Sequence, residues 1–302
     1  MNKKNMAKAL KAKLNDWIKS IEYPEVVNAI KEDAIVTGGA LVSLITGEEP
    51  NDYDIYFKTK ETCVKAARYY ANKWNTMYPN KPKVNIEVGS KDKHGETINE
   101  ARITCFIKSV GVAAEDGENG IDDNSEPVYA GDPDTKEPAA VDKPKYRPRY
   151  FSTNAISLSD KIQIVIRFYG PVEEIHMNYD YAHCTCSYDY KENHINLPEK
   201  ALECIINREL YYMGSKYPLC SIIRSRKFIV RGWHINAGQY LKMCLQLNEL
   251  NLHDFDTFKD QLAGVDSTYF AQAIDGIEER MHNDPEFKVD NTYLFEVINR
   301  IF

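Results

Sequence analysis

Between residues 34 and 57 the chain reads AIVTGGALVSLITGEEPNDYDIYF, and no other stretch constrains its fold so strongly. Ala34 to Thr37 is a short apolar run that ends at Gly38-Gly39. The ALVSLITG that follows has helical character and stops at Gly47, glycine being the residue that most readily takes the left-handed backbone just past a helix. Asp52 to Phe57 then alternates polar and apolar residues with a period of two, the mark of a strand with one buried face. An amphipathic helix over residues 60 to 76 comes next. Strand, turn, helix, strand, helix implies an α/β sheet.

That alternation puts Asp52 and Asp54 on one face while Tyr53, Ile55 and Phe57 point into the core. Two carboxylates held this close repel one another. A hard divalent cation is the usual stabiliser, and Mg²⁺ prefers such oxygens together with substrate phosphates. The glycines suit the same ligand: without a Cβ the turn admits close approach, and backbone N–H groups at a helix N-terminus attract phosphate. Each feature alone is common, since double glycines end many strands and Asp-x-Asp occurs on ordinary surface strands and in glycosyltransferases. Their combination at this spacing carries the signal.

Elsewhere the pattern predicts three regions. Residues 1–33 hold two helices, 3 to 22 and 24 to 31, separated at Pro24 and packed on the sheet that follows. Residues 34–198 form the sheet domain, with further strands at 83–88, 101–109, 150–159, 162–168 and 178–188, all rich in β-branched or aromatic residues. Within it, residues 111–149 carry ten Asp or Glu, five Pro and almost no large aliphatics. A segment so poor in apolar surface cannot offset its ordering entropy, so it is expected to be a disordered excursion. Its end, KPKYRPR, reads as a solvated basic flank rather than a phosphate-contacting edge. From 199 to 302 the pattern is helical throughout.

Acidic residues outnumber basic ones, 45 to 38, for a net charge of -7, so bulk charge gives no argument for nucleic-acid binding. The seven cysteines sit mostly among apolar neighbours, as reduced core cysteines do. The N-terminus lacks the apolar core of a signal peptide, and no run approaches the roughly 18 apolar residues that span a bilayer. These features predict a cytoplasmic protein with no membrane partner.

The arrangement Gly38-Gly39, short helix, Gly47, Pro50, Asp52-Tyr-Asp54 resembles the nucleotidyltransferase superfamily, which includes DNA polymerase beta, poly(A) polymerases, tRNA CCA-adding enzymes and small antibiotic nucleotidyltransferases. Arg149-Tyr-Phe151-Ser-Thr-Asn154-Ala155 is similar to a second CCA-adding motif. Val42-Ser43 stands where those enzymes carry Arg-Asp. The run from residue 153 to Trp233 looks like nucleotidyltransferase-fold proteins of bacteriophages and large viruses. The resemblance implies a palm domain with a mixed sheet followed by a helical domain. It also implies NTP as substrate and two Mg²⁺ ions, replaceable by Mn²⁺. Asp52 and Asp54 are then joined by a third carboxylate from a later strand, for which Asp180 in NYDYAHC is preferred over Glu87 and Glu100.

In that reading Asp52, Asp54 and Asp180 are catalytic and hold the metal, while Gly38, Gly39, Arg224 and Lys227 bind the nucleotide. Arg224 and Lys227 lie three apart, sharing one helical face, although a basic run of this kind is as often plain surface. His183, Cys184 and Cys186, with His176 and His194 nearby, lack the second Cys-x-x-Cys pair a zinc site needs, so structural packing is favoured. Two functions follow. One is transfer of a nucleoside monophosphate to an RNA, protein or small-molecule hydroxyl. The other is a catalytically idle structural or interaction protein of a bacteriophage, with phage protein partners in the host cytoplasm.

Overall fold

The computed structural model describes residues 2–91, 97–107, 113–114, 144–152, 154–262 and 283. These fall into two compact units, one of residues up to Asn207 and one from Arg208 onward. Most of the acidic stretch 111–149 and the helices expected beyond residue 262 lie outside the described residues.

The first unit is a mixed α/β structure. It opens with helices α1 (Lys3–Lys19) and α2 (Pro24–Asp33). Asn2 caps α1 by accepting the Asn5 N–H, and Pro24 occupies the first turn of α2, where its missing N–H costs nothing. Strand β1 (Ala34–Thr37) leads through the glycines into α3 (Gly39–Thr46), β2 (Tyr53–Phe57) and α4 (Lys60–Met77). The indole N–H of Trp17 donates to the Tyr70 hydroxyl at 2.7 Å, tying α1 to α4 in the core.

Strands β3 (Val84–Lys91) and β4 (Thr97–Ile107) form their own antiparallel two-stranded ribbon, packed on α4. The main sheet takes in β5 (Ala113–Ala114), β6 (Pro148–Phe151), β7 (Ala155–Leu158), β8 (Ile162–Val165), β9 (Ser187–Asp189) and β10 (His194–Asn196), in the order β10-β9-β1-β2-β8-β7-β6-β5. All its pairings are antiparallel except β2 with β8, which run parallel.

Cross-strand register makes the two faces of this sheet chemically different. Val36, Ile55, Ile164, Ile156 and Phe151 align across it and are fully buried, with Trp74 of α4 edge-on to Phe151 at 5.5 Å. The opposite face carries Ser187, Thr37, Asp54, Gln163 and Ser157 in one row. One residue pair further along β1 and β2 it turns apolar, where Ile35 and Tyr56 pack on Ile175 of α5 (Val172–His176).

Three local expectations change, the first being that the strand expected at 150–159 is two antiparallel strands, β6 and β7. Residues 178–188 are not a strand. The N–H groups of Asn178, Tyr179 and Cys184 donate three residues back, to Ile175, His176 and Tyr181, so their backbone is spent on tight turns. A 3-10 turn occupies Ala182–Thr185, and only Ser187–Asp189 joins the sheet. The flank 143–149 is also less solvated than its charge implies from residue 144 onward. Tyr146 is buried and its hydroxyl donates to Asp16 of α1 at 2.8 Å.

Helix α6 (Glu199–Asn207) belongs to this first unit, packing on α3 and the 3-10 turn, so the unit ends after residue 207 rather than 198. The second unit contains α7 (Pro218–Val230), α8 (Ala237–Asn248) and α9 (Phe255–Leu262). Gln246 of α8 joins it to the preceding loop by accepting from the Ser215 N–H and the Tyr212 hydroxyl.

Candidate functional site

The site is assembled where β1 ends. Gly38 has φ +85° and ψ −145°, a backbone that only glycine adopts readily, and its N–H donates to the Cys184 carbonyl at 3.2 Å. The chain turns there into α3 with no side chain capping the helix. Its first N–H groups lack the side-chain acceptor found at Asn2 and Thr59, which suits an anion.

Asp54 lies opposite Thr37 in the β1–β2 ladder, which brings its carboxylate over the glycine turn. A Cβ on Gly38 would stand 3.2 Å from Asp54 Oδ2 and 3.8 Å from the Tyr179 hydroxyl. A Cβ on Gly39 would meet nothing within 4 Å. The turn is therefore closed by Asp54 on one side and open over Gly39 on the other. Asp52 lies just before β2, and both aspartates are partly exposed.

Behind the carboxylate is a polar and aromatic wall. The Thr37 hydroxyl, fully buried, lies 2.8 Å from both the Cys186 carbonyl and His176 Nε2. One hydroxyl proton cannot serve two acceptors; with it given to Cys186, the imidazole donates Nε2–H to Thr37. Burial, opposed only by Glu173, holds His176 down at about 4, so a neutral ring is what this geometry stabilises. The His176 and Tyr179 rings stand 5.0 Å apart, and those of Tyr56 and Tyr179 6.2 Å. Burial first, then Tyr56 and the Asp54 carboxylate, keep the Tyr179 phenol well above its ordinary range, protonated and able to donate.

Asp180 is buried, 5% exposed, in the bend between α5 and the 3-10 turn rather than on a strand. Among the described residues no three or more His, Cys, Asp or Glu side chains are grouped to hold a metal ion. Glu87 is exposed on the separate β3–β4 ribbon, and Glu100 lies on β4 of the same ribbon. Arg224 and Lys227 are half-buried on α7 of the second unit. His183 and Cys184 touch at 3.2 Å, and burial holds His183 down at about 3 and pushes the Cys186 thiol up to about 12.

Asp54 beside the uncapped helix amides, with Asp52 two residues before it in the chain, suits a hard cation that shares its coordination with phosphate oxygens, which is how Mg²⁺ is commonly held. Thr37, Tyr56 and Tyr179 escaped the sequence reading as site residues, and His176 entered it only beside the cysteine cluster read as structural packing. Tyr179 had one visible signal, its place next to Asp180.

The second CCA-adding-like motif has a structural explanation. Ser152 Oγ accepts the N–H groups of Asn154 and Ala155 and shapes the β6–β7 turn. The Asn154 carbonyl accepts from the N–H groups of Ile166 and Arg167, and its side-chain oxygen accepts from Arg102 at 2.8 Å.

Among solved structures, the Thermotoga maritima CCA-adding enzyme complexed with tRNA is 9% identical at a TM-score of 0.36, the match covering 92% of this chain and 57% of that one. The Bacillus stearothermophilus CCA-adding enzyme in complex with CTP is 14% identical at 0.34, covering 83% and 50%. The Gabija anti-defense 2 protein of Bacillus phage SPbetaL7 is 21% identical over 288 residues, covering 92% of this chain and 55% of the relative. The chain thus spans about half the length of each. Among the described residues no helix is long and apolar enough to cross a membrane. A model of the Gabija anti-defense 2 family matches residues 8–208, two thirds of the sequence and nearly all of the sheet unit, and the chain belongs to that family.

Proposed function

We propose that this protein binds a nucleoside triphosphate at the Gly38-Gly39 turn and transfers its nucleoside monophosphate to a hydroxyl group, and that this activity counters the Gabija defence named for its phage relative. The observation that carries the reading is the Asp54 carboxylate against Gly38, with open space over Gly39 at the uncapped start of α3. The α3 amides would receive the triphosphate, and Asp52 and Asp54 would hold Mg²⁺ against its oxygens. When bound, the cation would neutralise phosphate charge and acidify the attacking hydroxyl. The acceptor oxygen bonds to the α-phosphorus as the bond to the bridging oxygen breaks. Pyrophosphate leaves, and the hydroxyl proton passes to water or to the aspartate pair. Asp180, next to Tyr179, would position that residue from behind. RNA, protein and small molecules all offer a suitable hydroxyl.

The lack of a three-donor metal group among the described residues favours a second reading, in which the protein binds nucleotide without transferring it and acts by interaction. One experiment separates the two. The protein is incubated with each NTP labelled at the α-phosphate, Mg²⁺ and host lysate, beside a variant carrying Asp52→Ala and Asp54→Ala. Label on a lysate component, lost in the variant, supports transfer. Nucleotide binding without label supports the second reading. Neither binding nor label would remove both.

A further inference from the structure

The polar row on the open sheet face continues past the aspartates. On β8 the residue in register with Asp54 is Gln163, and on β7 the residue in register with Gln163 is Ser157. Their strand neighbours Ile162, Ile164, Ile156 and Leu158 are all buried, whereas Gln163 and Ser157 are partly exposed. Alternation therefore projects the amide and the hydroxyl from the face that bears Thr37 and Asp54. Among the described residues neither side chain makes a hydrogen bond or ion pair. An amide on a half-buried strand face, beside a carboxylate and without a protein partner, is placed to meet a ligand.

The nucleotidyltransferase resemblance calls for a third carboxylate on a later strand. The later strand beside Asp54 is β8, and the side chain it offers there is a carboxamide. We propose that Gln163 takes the place of that carboxylate and is a ligand-contacting residue of a one-cation centre. This rests on the reading that Asp52 and Asp54 hold a cation with nucleotide phosphates. A neutral amide is a poor substitute for an anionic oxygen in binding a second Mg²⁺, since hard cations draw most of their affinity from charged donors. It carries both donor and acceptor atoms, and with the Ser157 hydroxyl beside it forms a patch suited to a sugar hydroxyl.

The test uses the full chain in excess over a non-hydrolysable ATP analogue, counting Mn²⁺ retained per bound nucleotide by ultrafiltration and electron paramagnetic resonance. Wild type should retain one Mn²⁺ per nucleotide, and Gln163→Asp should retain two. Gln163→Glu replaces that variant where its melting temperature falls. Gln163→Ala should keep one Mn²⁺ but weaken nucleotide binding roughly tenfold, the scale of one hydrogen bond to a bound ligand. A 2′-deoxy analogue that loses affinity in wild type but not in Gln163→Ala would identify the nucleotide's 2′-hydroxyl as the contact; equal losses would place the Gln163 contact elsewhere on the nucleotide. Two Mn²⁺ in wild type, or one in folded variants carrying the third carboxylate, overturns the proposal while leaving nucleotide binding intact. Retention of neither nucleotide nor cation overturns the functional reading and this proposal with it.

Discussion

Asp54 and Gly38 share one small volume: the carboxylate reaches to 3.2 Å of the point where any side chain at residue 38 would begin. Two contiguous glycines therefore have separate reasons to be glycine. Gly38 is fixed by its own backbone and by Asp54, while Gly39 faces open space.

Gly38→Ala should destabilise the fold by about 1–3 kcal/mol, the range for a non-glycine residue forced into such a conformation, and should push the Asp54 carboxylate aside. Gly39→Ala should leave stability unchanged or raise it by up to about 1 kcal/mol, as alanine does in a helix. It should nevertheless weaken nucleotide binding, because the methyl enters the space where the phosphates are placed. Thermal melts beside fluorescent-nucleotide titrations check both. A Gly39→Ala protein with native nucleotide affinity would contradict the phosphate assignment.

Asp54→Asn keeps the shape of the side chain but removes its charge. Nucleotidyl transfer should fall by roughly 10² to 10⁴, as when other preorganised electrostatic contacts are lost. Stability should be retained, since the side chain keeps its shape and partly exposed position. A combined rate assay and urea titration reads both directions, and a proportionate loss of stability would mark the residue as structural.

Thr37→Val preserves the volume of a fully buried side chain and deletes the hydroxyl shared by His176 and the Cys186 carbonyl. The two groups left without that hydroxyl should cost about 1–3 kcal/mol. Chemical denaturation gives the cost, and loosening of the His176 ring should appear in its imidazole proton signals.

His176 sets a pH dependence with a definite sign. Burial lowers it from an ordinary value of 6.5 to about 4, so between those values the unfolded chain binds a proton that the folded chain does not. Stability is fully present above pH 6.5 and declines as pH falls toward 4. His183, lowered by burial to about 3, adds in the same direction. His176→Gln should flatten the fall in melting temperature between pH 7 and pH 4.5. An unchanged slope would show that the acid sensitivity arises elsewhere.

Much of the site was legible because its signals are local. Gly38, Gly47 and the alternation from Asp52 to Phe57 mark a turn, a helix end and a strand within one short stretch, and the elements fall where those residues place them. Residues 178–188 misled because tyrosine, cysteine and threonine favour strands wherever they are half-buried. Here Tyr181 and Cys186 are buried by an irregular path whose hydrogen bonds close locally. Gln163 gave no signal at all. Its importance comes only from pairing with β2, a partner more than a hundred positions earlier in the chain, and no periodicity records a long-range register.

The same parallel pairing has a bearing on how such a protein can diverge. The chain leaves β2 after Phe57 and returns to pair with that strand only at Ile162 of β8, with α4, the β3–β4 ribbon and strands β5 to β7 in between, so the span is a detour with anchored ends. Lengthening a detour costs only about 0.6 kcal/mol per doubling where the added residues stay flexible. New surface can thus be grafted between these anchors, while the aspartates and the glycine turn keep their spacing.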